Sequence, residues 1–284
     1  MAYNLLKGKN GIIFGALNDM SIAWKVAEKA HEEGAKISLT NTATALRLGD
    51  LQQLGDKLGA PVIAADATSV EDLERVFKES MDFFGGKIDF ILHSIGMSLN
   101  VRKKNPYDDL NYEYMNKTID ISAISFHKIL QTARKLDAIN DWGSVLALSY
   151  VAAQRTFYGY NEMADVKAML ESIARSFGYI YGRDKKIRVN TISQSPTLTT
   201  AGSGVKGIND LLDFSERMSP LGNATAEDCA NYCVVMFSDL SKKVTMQNLM
   251  HDGGFSSVGM SWRAMQIYSK SLDDIEKEIK EVID

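Results

Sequence analysis

Short runs of apolar residues alternate along this chain with longer stretches in which apolar positions recur every three or four residues. The short runs fall at 11–16 (GIIFGA), 35–40 (AKISLT), 61–65 (PVIAA), 88–93 (IDFILH), 144–149 (SVLALS), 187–193 (IRVNTIS) and 248–251 (NLMH). Each has strand length, and a strand apolar on both faces is one buried between two layers. Between them lie helical patterns: Ile22, Ala23, Val26, Ala27 and Ala30 closing at Gly34, and Val70, Leu73, Val76, Phe77 and Met81 closing at Gly85. A third opens at Asn161 and places Met163, Val166, Leu170, Ile173 and Phe177 on one face. Strand alternating with helix predicts an α/β fold. The expectation is a single doubly wound, Rossmann-type domain over 1–284, with a parallel sheet of about seven strands and helices on both faces.

The 284 residues suffice for one large core, and no repeat, low-complexity tract or proline-rich linker divides them. A formal net charge of −4, with no basic stripe interleaved with aromatics, argues against nucleic acid as a partner. Nowhere do about eighteen apolar residues run together, and the N-terminus lacks the apolar segment of a signal peptide. A cytoplasmic protein that does not span a membrane is the expectation. Cys229 and Cys233 lie four apart in a helical pattern and are read as core-facing thiols, because no further Cys or His joins them; the four histidines are scattered. No metal site is expected.

In doubly wound sheets ligands bind beyond the carboxyl ends of the strands, so the chemistry is sought there. The first strand ends in Gly15 and reaches Ser21, placed to start the next helix, whose free N–H groups favour an anion. The second ends in Thr40-Asn41-Thr42, without the acid that commonly meets a ribose 2′-hydroxyl or the base that meets a 2′-phosphate. Asp66-Ala67 follows the third, as an acceptor for an adenine amino group or as an acid at a helix start. His93-Ser94-Ile95-Gly96 ends the fourth, and the small polar stretch 193–204 follows the sixth, as a flap or a plain surface loop.

The stretch 149–167, SYVAAQRTFYGYNEMADVK, sets Tyr150 at a strand end and Tyr160 seven residues before Lys167. On one helix the latter pair would share a face, ~10 Å apart along the axis. At that separation a phenol and an ammonium share a ligand more readily than a direct hydrogen bond.

Taken in order, these residues resemble the short-chain dehydrogenase/reductase superfamily and, within it, the enoyl-acyl-carrier-protein reductases of bacterial fatty acid synthesis. The resemblance is carried by Gly15-x5-Ser21-Ile22-Ala23, Asp66, His93-Ser94-Ile95-Gly96, Asp120-Ile121-Ser122 with Ser125-Phe126, Leu148-Ser149-Tyr150, Tyr160-Asn161 with Lys167, and His251-Asp252-Gly253-Gly254-Phe255. Most of the superfamily spaces Tyr and Lys four apart, and here position 164 is alanine. The seven-residue spacing, with a tyrosine ten before Tyr160, marks the enoyl reductase branch. That argues against a ketoreductase or hydroxysteroid-type dehydrogenase, and the retained Tyr160 and Lys167 argue against a non-catalytic dinucleotide-binding protein. Gln194-Ser195-Pro196 departs from the family's Ala-Gly-Pro, and the chain runs past Gly259 into an acidic helical pattern.

The resemblance implies reduction of the double bond of a trans-2-enoyl-acyl-carrier-protein thioester. It makes Tyr160 the active-site tyrosine, Lys167 the residue holding the nicotinamide ribose, and Tyr150 part of the substrate wall. Cofactor contacts are expected at Gly15, Ser21, Ile22, Thr42, Asp66, Ala67, Ser94, Ile95, Gly96, Lys167, Thr197 and Thr199. Substrate contacts are expected at Met97, Ser98, Tyr150, Tyr160 and Lys206. The resemblance also implies a homotetramer and an acyl carrier protein as partner, with Lys206 and Arg102-Lys103-Lys104 as the cations placed to receive it. A substrate-binding flap is expected over 196–218 and a C-terminal helical extension over 260–284. The uncharged Thr40-Asn41-Thr42 favours NADH over NADPH, with Arg47 as the nearest cation that would reverse the preference.

Overall fold

The computed structural model describes residues 2–199 and 207–283, the last eight of these as backbone only. Strands β1 (Asn10–Phe14), β2 (Lys36–Asn41), β3 (Val62–Ala64), β4 (Ile88–His93), β5 (Ile139–Ser149), β6 (Arg188–Gln194) and β7 (Asn248–His251) form one sheet. Its order is β3-β2-β1-β4-β5-β6-β7, and every pairing is parallel. The order reverses between β1 and β4, which opens a crevice at their carboxyl ends.

Alternate residues of the strands feed two separate cores. Ile13, Ile37, Leu39, Phe90, Leu92, Leu146 and Ile192 face α1 (Ile22–Glu32), α3 (Leu51–Leu58) and α10 (Ala226–Phe237). Ile12, Phe14, Ile91, Val145, Ala147 and Val189 face α4 (Val70–Phe84), α7 (Ser125–Lys135) and α8 (Met163–Lys185). Cys229 and Cys233 are buried free thiols within the first core. The remaining helices are α2 (Ala43–Leu48), α5 (Leu99–Lys103), α6 (Tyr112–Ile119), α9 (Ile208–Met218) and α11 (Trp262–Ile283).

Two local expectations need correcting. β5 begins at Ile139, five residues before the apolar run at 144–149, because Ile88 pairs with Ile139 and Phe90 with Ser144 across an irregularity in register. Trp142, at a left-handed φ of 65°, absorbs the extra residues, and the polar Asn140-Asp141 disguises the strand start. Asn161 does not open the long helix either. Its φ is 48°, a conformation asparagine tolerates, and α8 begins at Met163. Tyr160 therefore sits on the turn that enters the helix.

Phe90 stacks on Phe237 at 4.5 Å and lies against Gly11, where a Cβ would fall 2.1 Å from its ring. Truncating it leaves a hole that rigid strands cannot close. Phe90→Ala is expected to lower the unfolding free energy by about 3–5 kcal/mol in urea titration; a loss under about 1 kcal/mol would mean that the sheet can repack there.

Candidate active site

The reversal point sets β1 beside β4, with Phe14 opposite His93. Gly15 follows at φ 97°, and a Cβ on it would lie 2.1 Å from the Ser94 carbonyl oxygen. Only glycine fits. The turn from Gly15 to α1 is closed by Ser21, whose hydroxyl donates to Asn18 O at 2.6 Å and accepts the Leu17 N–H at 3.2 Å. Ser21 occupies the helix-start position expected of it, yet its side chain makes no capping bond to α1. The start of α1 is thereby left without a side-chain oxygen, as an anion site requires. Asn41 fastens this turn to the end of β2 through Ala16 O at 2.9 Å, and Thr42 caps α2 by accepting the Ala45 N–H.

Beyond β3, Asp66 Oδ1 accepts both the N–H and the hydroxyl of Thr68, each at 2.8 Å, in a tight Asx turn. Lys128 on α7 holds the same loop by donating to Thr68 O at 2.8 Å while paired to Asp120 at 2.7 Å. Asp120 begins a π turn, Asp120–Ile124, between α6 and α7. Such turns re-aim side chains near functional sites. Here Ser122 accepts the Met97 N–H at 2.9 Å and donates to Met97 O at 3.1 Å. Ser125 donates to Ile121 O and so accepts from His93 Nε2 at 2.9 Å. Burial, reinforced by the nearby Lys167 charge, depresses His93 to about 3 and holds it neutral.

At the end of β5 the Lys167 ammonium donates to Leu148 O at 2.7 Å. Burial lowers its pKa to about 8, partly opposed by Glu171 one helical turn further on. Glu171 is itself buried, taking the Ser149 hydroxyl at 2.7 Å and the Gln154 amide at 3.1 Å. Tyr150, buried, meets half-buried Tyr160 with ring centroids 5.0 Å apart. Phe157 and Phe255 continue the aromatic wall. Burial drives both phenols well above their ordinary pKa, so both stay protonated and able to donate. Among the described residues the Tyr150 hydroxyl has no hydrogen-bond partner.

A cavity of about 250 Å³ gathers Ile22, Ser94, Ile95, Gly96, Met97, Ser98, Tyr150, Tyr160, Lys167, Thr197 and Thr199 of the expected residues. Gly15, Ser21, Thr42, Asp66 and Ala67 do not line it; they follow the ends of β1, β2 and β3. Lys206 lies outside the described residues. Val101 on α5 and Met163 at the start of α8 also line it without having been expected there; Arg102, expected as a docking cation, lines it too, as do Ile208 and Leu211 of α9, which fall within the expected 196–218 flap. The three-residue spacing of Ile208 and Leu211 was the one available signal for singling out that pair. Ser195, which replaces the family's glycine, also lines the cavity, and its hydroxyl accepts the Ala224 N–H at 3.0 Å. Gln194 likewise spends its amide on Ala224 O and His251.

A dinucleotide fits what is present. Gly15 leaves room for close backbone approach, α1 starts without a side-chain cap, and a Cβ at Gly96 would fill the space 3.9 Å in front of Lys167 Nζ. Among the described residues no cluster of three His, Cys, Asp or Glu is placed to hold a metal ion.

The family described as Enoyl-(Acyl carrier protein) reductase matches residues 15–256. The chain is 35% identical over 261 residues to enoyl-[acyl-carrier-protein] reductase [NADH] 1 of Rhizobium meliloti, covering 91% of this chain and 94% of that one. Its structure resembles the solved FabI-NADH complex from Alistipes finegoldii, with a TM-score of 0.91, 69% identity, and 92% and 93% of the two chains covered. The Bacillus cereus enoyl-acyl carrier protein reductase, solved with NADP+ and an indole naphthyridinone, superposes with a TM-score of 0.84 at 30% identity, covering 92% and 100%.

The Lys167 geometry has a consequence for stability. Its folded pKa, about 8, lies below the ordinary 10.5, so between those values the unfolded chain binds the extra proton and stability rises with pH. In ligand-free urea titrations the wild type should gain about 1–2 kcal/mol on Lys167→Met between roughly pH 7 and pH 9.5. A pH-independent difference would show that the ammonium is not desolvated.

Proposed function

This chain belongs to the enoyl-(acyl carrier protein) reductase family, and from that premise we propose that the cavity joining Tyr160 and Lys167 is its active centre. The protein is an NADH-dependent enoyl-acyl-carrier-protein reductase, reducing the carbon–carbon double bond of trans-2-enoyl thioesters in fatty acid biosynthesis. The observation that supports these roles is a phenol and a desolvated ammonium lining one cavity, with Lys167 already tied to Leu148 O.

When bound, NADH supplies a hydride to the β-carbon. Electron density then moves onto the thioester oxygen, and Tyr160, kept protonated by burial, donates a hydrogen bond to the developing enolate. Lys167 has three donors and spends one on Leu148 O; the other two serve the nicotinamide ribose, and its charge favours the enolate. Tyr150 shapes the opposite wall with Met97 and Ser98. Gly15, Ser21, Ile22 and the start of α1 would hold the pyrophosphate, Thr42 the adenosine ribose, and Asp66 with Ala67 the adenine. Ser94, Ile95, Gly96, Thr197 and Thr199 flank the nicotinamide end. Thr42 is uncharged, and Arg47 is an exposed residue in the last turn of α2, so no cation stands at the end of β2 itself.

The apolar lining from Val101, Met163, Ile208 and Leu211 suits an acyl chain, and Ile208 and Leu211 belong to the described part of the expected 196–218 flap, of which 200–206 lie outside the described residues. The acidic carrier protein docks at the cavity mouth. Arg102 lines that mouth, Lys103 lies over the Tyr114 ring at 5.3 Å, and Lys104 is exposed. Among the described residues none of the three is ion-paired. The enzyme assembles as a cytoplasmic homotetramer, the state implied by the superfamily resemblance, and a monomer in sedimentation would contradict it.

Removing one oxyanion donor costs ~10²–10³ in kcat. Tyr160→Phe is expected to slow turnover by that factor or less and to leave NADH affinity unchanged, whereas Lys167→Met should weaken NADH binding. The reverse pattern would mean that the two roles are exchanged. Lys104→Glu should raise KM for carrier-bound substrate several-fold, increasingly at low salt, and leave small thioesters alone; equal effects on both substrates would exclude docking at α5.

A further inference from the structure

Glu162, two residues beyond Tyr160, is fully buried and bonded to Ser98 of the cavity wall. Burying a carboxyl group is costly unless it is bonded and its charge is offset. One oxygen, Oε1, accepts the Ser98 hydroxyl at 2.6 Å and the Asn100 amide at 3.1 Å; the Thr118 hydroxyl lies 3.2 Å away but shares its one hydrogen with the Tyr114 carbonyl at 2.8 Å. The other, Oε2, has no hydrogen-bond partner among the described residues. The group also occupies the N-cap position of α8, where the helix dipole offsets negative charge.

Its partners identify what it holds. Ser98 caps α5 by accepting the Val101 N–H at 3.0 Å, and α5 carries Val101 and Arg102 into the cavity. Because the Ser98 hydroxyl hydrogen is spent on Glu162, its oxygen lone pairs remain turned toward that N–H. Asn100 closes the segment behind α5 by donating to Asn111 O and accepting the Asn111 N–H and the Asn105 amide. Asn161 adds a bond from its own amide to Asn105 O. The turn that delivers the Tyr160 phenol is thus the turn that grips the facing wall.

We infer that Glu162 is a positioning residue for the thioester: through Ser98 and Asn100 it sets the distance between the α5 wall and Tyr160. This rests on the enoyl reductase reading. Glu162 does not line the cavity and reaches it only through Ser98 and α5, so its removal should act on the thioester and spare NADH.

The test measures NADH oxidation with a short trans-2-enoyl thioester of coenzyme A, and NADH affinity separately by fluorescence, in full-length variants. Glu162→Leu should lower kcat/KM for the thioester by about ten- to a hundredfold, as loss of a buried charge-assisted acceptor would, with NADH affinity within about twofold. Glu162→Gln keeps an oxygen for Ser98 and Asn100 and should recover most of the loss. Ser98→Ala should lower thioester kcat/KM in the same direction, and combining it with Glu162→Leu should add little, because both cut one link. Wild-type thioester kinetics in Glu162→Leu, or an equal fall in NADH affinity, would overturn the inference. Should Glu162→Leu not fold, unchanged kinetics in Ser98→Ala would overturn it. A wild type that oxidises no NADH with the enoyl thioester would sink the functional reading and the inference with it; normal wild-type turnover beside an indifferent Glu162→Leu would sink the inference alone.

Discussion

The desolvated ammonium of Lys167 is the constraint around which the site is arranged. A buried cation needs an acceptor, and the Leu148 carbonyl at the end of β5 supplies it at 2.7 Å. That bond fixes the register of α8 on β5 and brings Tyr160, on the turn just before the helix, to the same cavity. Glu171 supplies an opposite charge one turn later, and is itself held by Ser149 and Gln154. His93 beneath must be neutral, and burial beside a cation keeps it so.

The sheet provides the rest by bringing strand ends together. Gly15 lets the backbone of β1 come against the Ser94 carbonyl, and Ser21 turns its hydroxyl back into its own loop rather than onto α1. On the substrate side, the π turn at Asp120–Ile124 puts Ser122 on both polar groups of Met97. The wall at the ends of β1 and β4 and the wall at Met97 are therefore fastened by different elements. Tyr160 and its two successors join them.

The sheet, and the cavity-lining residues at the ends of β4 and β5, were legible in the sequence because buried parallel strands read as uninterrupted apolar runs, and because strand ends are where such folds place their ligands. The start of β5 was hidden by Asn140 and Asp141, which occupy an irregular stretch that no alternation rule anticipates. Tyr160 and Lys167 were read at helical spacing, yet a left-handed Asn161 intervenes and changes how the phenol is delivered. Glu162 was invisible for a physical reason: a glutamate beside a helix start looks like a solvated charge, and its burial depends on Ser98, Asn100 and Thr118, which are distant in sequence. At Ser195, where the sequence departs from the family's glycine, the hydroxyl accepts the Ala224 N–H.

The tyrosine and lysine spaced seven apart belong to an enzyme that reduces a conjugated carbon–carbon double bond rather than a ketone. The most direct measurement follows the absorbance of NADH at fixed enzyme with a trans-2-enoyl thioester and, separately, with a 3-ketoacyl thioester of the same chain length. Rapid loss of absorbance with the enoyl substrate and none above background with the ketone is the expected result. Turnover of the ketone alone would contradict the account.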